Sequence, residues 1–389
     1  MASHPHAPSL AHLDRVRLGE ALALAAQAIG LTEPNPRVGC VIGAADGRVL
    51  GRGHTQRAGQ GHAEVIALRD ARAAGLDVKG ATAWVTLEPC AHHGRTPPCS
   101  LALVEAGIAR CVVIHTDPNP LVAGGGITHL RQAGVQVDQW PADDPLAVTA
   151  RDLNIGFFSR FERGRPWVRA KVACSADGRV ALDDGSSKWI TGEAARADGH
   201  LWRRRASAVM TGIGTVLADN PRLDVRAVPT AAQPLRVVLD SALRTPADAA
   251  ILAPPGETLL IAAAGQMAPR VQGAEIWDDI APAGEKLDLD AVLQALASRR
   301  GINEVHLEAG PTLTGAMAAA DLIDEWLLYM APMLLGPGKP AAQLAPLMRL
   351  ADARRFTWID STQVGPDLRL RMRRIGLVDS LYTPLVSAP

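Results

Sequence analysis

Short apolar strands alternate with helical segments along almost all of this 389-residue chain, and the alternation pauses only once, between Trp140 and Gly164. Such β-α alternation implies a sheet covered by helices on both faces. Before the pause, strands are expected at Gly39–Gly43, Thr82–Leu87 and Cys111–His115, with helices at Leu18–Ile29, Ala63–Ala74, Leu101–Ala106 and Ile127–Ala133. After it, strands are expected at Trp167–Ala173, Ala208–Thr211, Leu235–Leu239, Leu259–Ala262, Glu304–Leu307, Trp326–Met330 and Leu368–Met372, with helices at Ala194–Arg205 and Asp290–Arg300. One hydrophobic core stops growing near about 250–300 residues, so the pause is read as a domain boundary. The expectation is two different α/β domains, over 1–155 and 166–380, with a linker at 156–165 and a tail at 381–389. The connecting segment, in part helical, would pack Phe157 and Phe158 between the domains.

Charge narrows the partners. Lys+Arg and Asp+Glu balance at 40 each, without the basic excess of a protein that wraps nucleic acid. A few local arginines still suffice for a small anionic ligand. No apolar stretch approaches the roughly 18 residues of a membrane span, and Met1–Leu10 shows no secretion signal. Five cysteines are an odd number and too few for a disulfide scaffold. The expectation is a cytoplasmic protein with no nucleic-acid or membrane partner.

The sharpest chemical signal is His62-Ala63-Glu64, followed after a strand by Glu88-Pro89-Cys90 and then Cys99. One imidazole and two thiolates fill three tetrahedral positions on a zinc ion and leave the fourth for water, as catalytic sites do. Zinc lowers the pKa of such a water from 15.7 to about 7. Glu64, two residues from a ligand, is placed to carry the water's proton to a ring nitrogen and to leaving ammonia. Helix starts at His62 and Cys99 would favour thiolate over thiol. Cys40, Cys111 and Cys174 lie in apolar strands and read as small buried hydrophobes. A structural zinc would need a fourth protein ligand, for which His92 and His93 are candidates.

These residues resemble the zinc site of the cytidine deaminase superfamily. Most members of that superfamily have two residues between the cysteines, whereas here Ala91 to Pro98 supply eight. The resulting stretch EPCAHHGRTPPC is similar to one branch, the bifunctional riboflavin-biosynthesis deaminase–reductases. Pro34-Asn35-Pro36-Arg37-Val38-Gly39 and Asp117-Pro118-Asn119-Pro120 resemble further motifs of that branch. The resemblance implies deamination of a diaminopyrimidinone carrying a ribosylamino phosphate. Asn35 then contacts the substrate; turn chemistry alone would make it a turn residue between two prolines. His92, His93 and Arg95 would lie near the substrate. Gly124-Gly125-Gly126 departs from the Gly-Arg-Gly usual in the family and removes a loop arginine.

The second half lacks a Gly-x-Gly-x-x-Gly dinucleotide fingerprint. It has instead Glu308-Ala309-Gly310-Pro311-Thr312-Leu313-Thr314-Gly315-Ala316 after a strand. A Gly-Pro turn opening a helix offers free N–H groups to a phosphate, or simply caps the helix. Lys171 to Arg179, Ser187 to Gly192, Thr215 to Pro221 and Glu308 to Pro311 resemble the reductase domain of the same family. That resemblance implies a dihydrofolate-reductase-like fold and NADPH, beside a cytidine-deaminase-like α/β/α domain carrying one Zn²⁺ per chain. It implies NADPH contacts from Ala173, Trp189, Thr215, Asp219, Ser241, Gly310, Pro311, Thr312, Leu313, Thr314, Gly315 and Ala316. Ser187, Arg203, Leu223, Arg226 and Glu308 would contact the substrate, a pyrimidine ribosyl phosphate. Arg203 and Arg226 suit a phosphate through bidentate pairing, although Arg203, in a run with Arg204 and Arg205, also suits a salt bridge. Arg244, near Ser241, would add charge pairing to a 2′-phosphate. The chain would act as a homo-oligomer, dimer or tetramer. A nucleic-acid base deaminase with a similar zinc site is the competing enzyme reading, disfavoured by the neutral charge, the long insert and the second domain.

Overall fold

The computed structural model describes residues 10–91, 97–265, 271–281 and 286–376. The chain divides into two compact units, one ending at Glu162 and the other beginning at Arg163.

The first unit runs α1 (Leu10–Ala26), β1 (Gly39–Gly43), β2 (Val49–His54), α2 (Ala63–Ala73), β3 (Thr82–Leu87), α3 (Cys99–Glu105), β4 (Arg110–His115), α4 (Gly125–Gln132), β5 (Gln136–Gln139), α5 (Pro145–Leu153) and α6 (Ile155–Arg163). Its five-stranded sheet has the order β2-β1-β3-β4-β5, with β1 antiparallel to β2 and β3, and β3, β4 and β5 parallel. Side chains of a strand alternate between faces. Cys40, Ile42, Ala83, Val85, Cys111 and Val113 therefore pack on one side with Ala63, Ala67 and Ala71 of α2, Leu103 of α3 and Leu130 of α4. Val41, Trp84, Val112 and Ile114 pack on the other with Leu18 and Ala21 of α1 and Ala147 and Ala150 of α5. The result is an α/β/α sandwich whose contacts are set by glycine in places. A Cβ on Gly39 would lie 1.8 Å from the Ala21 carbonyl oxygen, so α1 rests directly on β1.

The connecting stretch 156–165 is helical for most of its length, in α6, and its two phenylalanines enter the first unit's core. Phe157 and Phe158 are 6% and 3% exposed within the first unit's own core. Ile155, Phe158 and Ser159 recur at helical spacing on the buried side, and Phe157 meets Phe161 edge-to-face at 4.9 Å.

The second unit runs β6 (Trp167–Ser175), β7 (Arg179–Ala181), α7 (Glu193–Arg205), β8 (Ala208–Gly212), α8 (Ile213–Asp219), β9 (Leu235–Leu239), β10 (Thr258–Ala263), β11 (Glu275–Ala281), α9 (Leu289–Arg300), β12 (Glu304–Leu307), α10 (Pro311–Ala319), β13 (Glu325–Ala331), β14 (Lys339–Pro340), β15 (Phe356–Val364) and β16 (Asp367–Arg374). Its nine-stranded sheet has the order β11-β10-β9-β8-β12-β6-β13-β16-β15. Pairing is parallel from β11 through β13, and antiparallel for β13–β16 and β16–β15. The seven strands expected after the pause all form. On one face, Val168, Ala170, Val172, Met210, Val237, Ile261, Val305 and Leu307 meet Val292, Leu293 and Leu296 of α9 and Met317 of α10. The opposite face, under α7, is charged. Glu325, fully buried, accepts from Arg169, Arg371 and Arg373, and Glu304 accepts from Arg169 and Arg205. Removing one partner of such a set would cost about 3–5 kcal/mol by leaving an uncompensated buried charge. The buried cysteines are placed as expected, Cys40 and Cys111 in the first core and Cys174 in the second, and all five cysteines are free. No described helix is long and apolar enough to cross a membrane.

Candidate active sites

In the first unit, three elements end at one point. His62 is the N-cap of α2, Cys90 follows β3, and Cys99 is the first residue of α3. The His62 Nδ1 lies 3.6 Å from Cys90 Sγ and 3.3 Å from Cys99 Sγ. With Zn–S near 2.3 Å and Zn–N near 2.05 Å, tetrahedral ligands stand roughly 3.5 Å apart, so the triangle fits a zinc ion. Among the described residues these three form a group whose ligand atoms could hold a metal ion. The Cys99 backbone N–H points at Cys90 Sγ, 3.4 Å away, as helix-start donors do toward a thiolate. Hydrogen bonding from the Cys99 thiol and from His62 pulls Cys90 down to about 4, overcoming burial, while the bond to Cys90 and burial push Cys99 up. Glu64, 3% exposed in the first turn of α2, is raised to about 7 by burial and by Cys90, against the pull of His62.

Sequence reasoning quoted Glu88 in the motif but gave it no task. Its buried carboxylate accepts backbone N–H groups from Asp117 at 3.2 Å, Gly124 at 2.9 Å and Ile127 at 3.0 Å. It thereby caps α4 from the end of β3 and ties the 117–127 segment to the stretch that carries Cys90. Gly126 makes the approach possible, because a Cβ there would lie 1.8 Å from the Pro89 oxygen. At Gly125 a Cβ would meet, among the described residues, Ala91 alone, at 3.6 Å, an ordinary contact where the loop arginine is missing. Burial raises Asp117 to about 7. Asn35 is half-buried; its backbone N–H donates to the Thr32 carbonyl at 2.9 Å, and its side-chain amide makes no hydrogen bond among the described residues. Arg37 anchors that loop through the Leu153 carbonyl at 2.8 Å and the Glu33 carboxylate at 2.9 Å. His92, His93 and Arg95 lie outside the described residues.

In the second unit a cavity of about 1810 Å³ opens along the sheet. That exceeds the roughly 300–1,000 Å³ of a single small-ligand pocket, leaving room for two ligands. Ala173, Trp189, Thr215, Asp219, Ser241, Gly310, Pro311, Thr312, Leu313 and Ala316 line it, as do Ser187, Arg203, Leu223, Arg226 and Glu308. Thr314 and Gly315 do not. Thr314 is buried with its hydroxyl on the Ala309 carbonyl, and a Cβ on Gly315 would meet the Gln343 oxygen at 2.1 Å. Gly310 caps α10 with Pro311 behind it; its own N–H donates to Thr215 Oγ1 at 3.3 Å, and the N–H groups of Thr312 and Leu313 have no side-chain cap among the described residues. Leu223 holds a left-handed backbone (φ 52°), a conformation a leucine rarely adopts, and is kept there by burial in an apolar cluster.

The arginines divide. Arg203 grips Glu308 through both carboxylate oxygens and donates to the Asp224 carbonyl at 3.1 Å, so three of its five N–H groups are engaged. Arg226 has a 55% exposed side chain and is steadied by Asp224 at 2.6 Å. Lys171 was quoted in a motif without a role, yet it lines the cavity. Its ammonium makes no hydrogen bond among the described residues, and burial lowers its pKa while Glu308 opposes. A lysine inside the strand WVRAKVACS was the available signal. Arg244 and Lys286 also line the cavity, the first as expected beside Ser241 and the second without any sequence cue.

Two family models match the chain. Residues 14–115 match the cytidine and deoxycytidylate deaminase zinc-binding region, and residues 166–370 match the RibD C-terminal domain. The chain is 42% identical over 373 residues to riboflavin biosynthesis protein RibD of Escherichia coli, covering 92% of this chain and 99% of that one. It is 39% identical to the Haemophilus influenzae protein of the same name, over 92% and 96% of the two chains. Among solved structures it is similar to Acinetobacter baumannii RibD, with a TM-score of 0.85 and 42% identity over 93% of this chain and 99% of that one. It is also similar to a Thermotoga maritima diaminohydroxyphosphoribosylaminopyrimidine deaminase/5-amino-6-(5-phosphoribosylamino)uracil reductase, with a TM-score of 0.81 and 29% identity over 93% and 99%.

Proposed function

The chain belongs to the family of RibD riboflavin biosynthesis proteins, which join a zinc-binding deaminase domain to a reductase domain, and from that premise we propose how its residues divide the work. The observation that carries the reading is the His62, Cys90 and Cys99 triangle at two helix starts, with buried Glu64 beside it.

In the deaminase half, His62, Cys90 and Cys99 hold zinc, which when bound supplies a water nucleophile at neutral pH. Glu64, buried beside the site, takes the proton that the attacking water loses and delivers it to the ring nitrogen; the second proton, from the hydroxyl left on the ring carbon, passes by the same carboxylate to the departing ammonia. Asn35 reads the pyrimidine edge, and its uncommitted amide supports that role. Glu88 holds the 117–127 wall in place.

In the reductase half, NADPH when bound would supply a hydride for C1′ of the ring-opened ribosylamine imine, and a proton taken up at the nitrogen would complete the ribitylamine. The chain's task is orientation. The N–H groups at the start of α10 take the cofactor's pyrophosphate, with Ala173, Trp189, Thr215, Asp219, Leu313 and Ala316 around it. Ser241 and Arg244 read the 2′-phosphate. Arg226 takes the substrate phosphate, while Arg203 holds Glu308 against the substrate with Ser187 and Leu223 beside it. The size of the cavity supports a cofactor and a substrate bound together.

We further propose that the chain works in the cytoplasm as a homo-oligomer. Free cysteines support the first reading. Exposed Leu347, Met348, Leu350 and Trp358 in the second unit support the second.

Incubation of the protein with the diaminopyrimidinone ribosylamino phosphate, with and without NADPH, tests the reading. Ammonia should appear in both cases and NADPH should be consumed in the first. Ammonia release that requires NADPH, or none at all, would contradict it.

A further inference from the structure

Strand β12 carries a polar layer whose middle member has no assigned task. Val305 and Leu307 enter the apolar core, whereas Glu304, His306 and the following Glu308 take the alternate positions, toward α7. Glu304 is matched by Arg169 and Arg205, and Glu308 by Arg203. His306 between them is 0% exposed, and neither ring nitrogen has a formed hydrogen bond. Buried polar atoms without partners are rare enough to need a reason. A leucine would fill the place at lower cost.

The reason lies next along the strand. His306 Nε2 stands 3.4 Å from Glu308 Oε1. That is longer than the roughly 2.7–3.2 Å of a formed N–H···O bond, but a small shift closes it, and such contacts often tighten only when ligand binds. We propose that His306 is a positioning residue of the reductase site, fixing Glu308 from beneath the cavity.

The inference rests on the reductase reading above, and the acceptor sites of the carboxylate give it content. Oε1 receives Arg203 Nε and would receive His306 Nε2–H, which fills it. Oε2 receives Arg203 Nη2 at 2.9 Å and keeps one lone pair for the ligand. Without His306 the carboxylate is held by Arg203 along one edge and can pivot about that pair. The ring acts as a neutral donor. Burial disfavours its charged form, and Arg169, in register with it on β6, and Arg203 add to that against the pull of Glu308. Facing a carboxylate, the single proton belongs on Nε2.

The test compares H306L, which removes the donor, with H306Q, whose amide N–H reaches about as far as Nε2. Reduction of the deaminated substrate is followed as NADPH oxidation, and ammonia release by the other unit serves as an internal control. H306L should lower the reductase kcat at least about tenfold, as the loss of a hydrogen bond to a charged group implies, with the KM for NADPH unchanged and deamination intact. H306Q should recover most of the loss. Equal losses in both variants, or wild-type kcat in H306L, would overturn the proposal. If H306L does not fold, H306M replaces it in the same comparison with H306Q. A wild-type protein that fails to oxidise NADPH would sink the reductase reading itself, a result separable from either variant outcome.

Discussion

Gly126→Ala puts a single methyl group where the structure has no room for it. The added Cβ would lie 1.8 Å from the Pro89 oxygen and 3.0 Å from the Pro89 carbonyl carbon, both backbone atoms. Real Cβ atoms stay at least about 3.0 Å from such an oxygen, so α4 and the Pro89 peptide must separate by roughly 1.2 Å (about 3.0 less 1.8). Pro89 precedes the ligand Cys90, and Glu88 on its other side is bound to the same end of α4. The displacement therefore falls on the zinc ligands, whose distances tolerate only about 0.2 Å. A misplacement of about 1 Å typically costs about 10²-fold in rate, and we expect deamination to fall by at least that factor. Zinc content by elemental analysis should fall with it. Reduction of pre-deaminated substrate should continue, since the second unit has its own core. A G126A protein with full zinc and near wild-type ammonia release would refute the reasoning.

Three further outcomes follow from the site geometry. Cys99→Ser should lower zinc occupancy and deamination together, because a neutral hydroxyl replaces a thiolate poorly; full zinc in that variant would remove Cys99 from the ligand set. Ser241→Ala combined with Arg244→Ala should reduce the preference for NADPH over NADH, measured as kcat/KM, by two or more orders of magnitude. That figure comes from losing two charge-assisted hydrogen bonds of roughly 1.5–3 kcal/mol each, and an unchanged preference would place 2′-phosphate recognition elsewhere. Light scattering on the full chain should give a dimer or tetramer mass, and Trp358→Lys with Leu350→Lys should shift it toward monomer; a monomeric wild type would contradict the oligomer.

The candidate zinc site was legible as a cluster because its parts are local and chemically unusual: a histidine, an acid two residues on, and two cysteines at strand and helix ends. The central strands were legible for a similar reason, being runs buried on both faces. Strand β2 was not. Its VLGRGH sequence reads as turn chemistry, yet Gly51 and Gly53 are there because a Cβ would meet the Ala67 and Ala63 oxygens of α2 at 2.2 Å each. Strand β15 hides its pairing behind exposed polar residues at the sheet edge. The bounds of helix α6 were not legible, because Gly156 and two adjacent phenylalanines do not show which core they enter. In the second site most cavity residues came through family resemblance. Thr314 and Gly315 illustrate the limit: a motif names a stretch of helix, and packing decides which of its side chains turn toward the cavity. His306 had one faint signal, a polar residue at every second position from Glu304 to Glu308.

The central claim is that two chemically separate sites act in order on one substrate. Glu64→Gln tests it most directly, because the neutral amide keeps the fold and the ligand set but cannot carry the proton. Given the diaminopyrimidinone phosphate and NADPH together, the variant should release ammonia about 10²–10⁴-fold more slowly, a barrier higher by roughly 3–5 kcal/mol, and NADPH oxidation should slow with it. Given pre-deaminated substrate, the same protein with its zinc in place should oxidise NADPH at the wild-type rate. Near wild-type ammonia release would remove Glu64 from the chemistry, and slow NADPH oxidation with the pre-deaminated substrate would contradict the independence of the two sites.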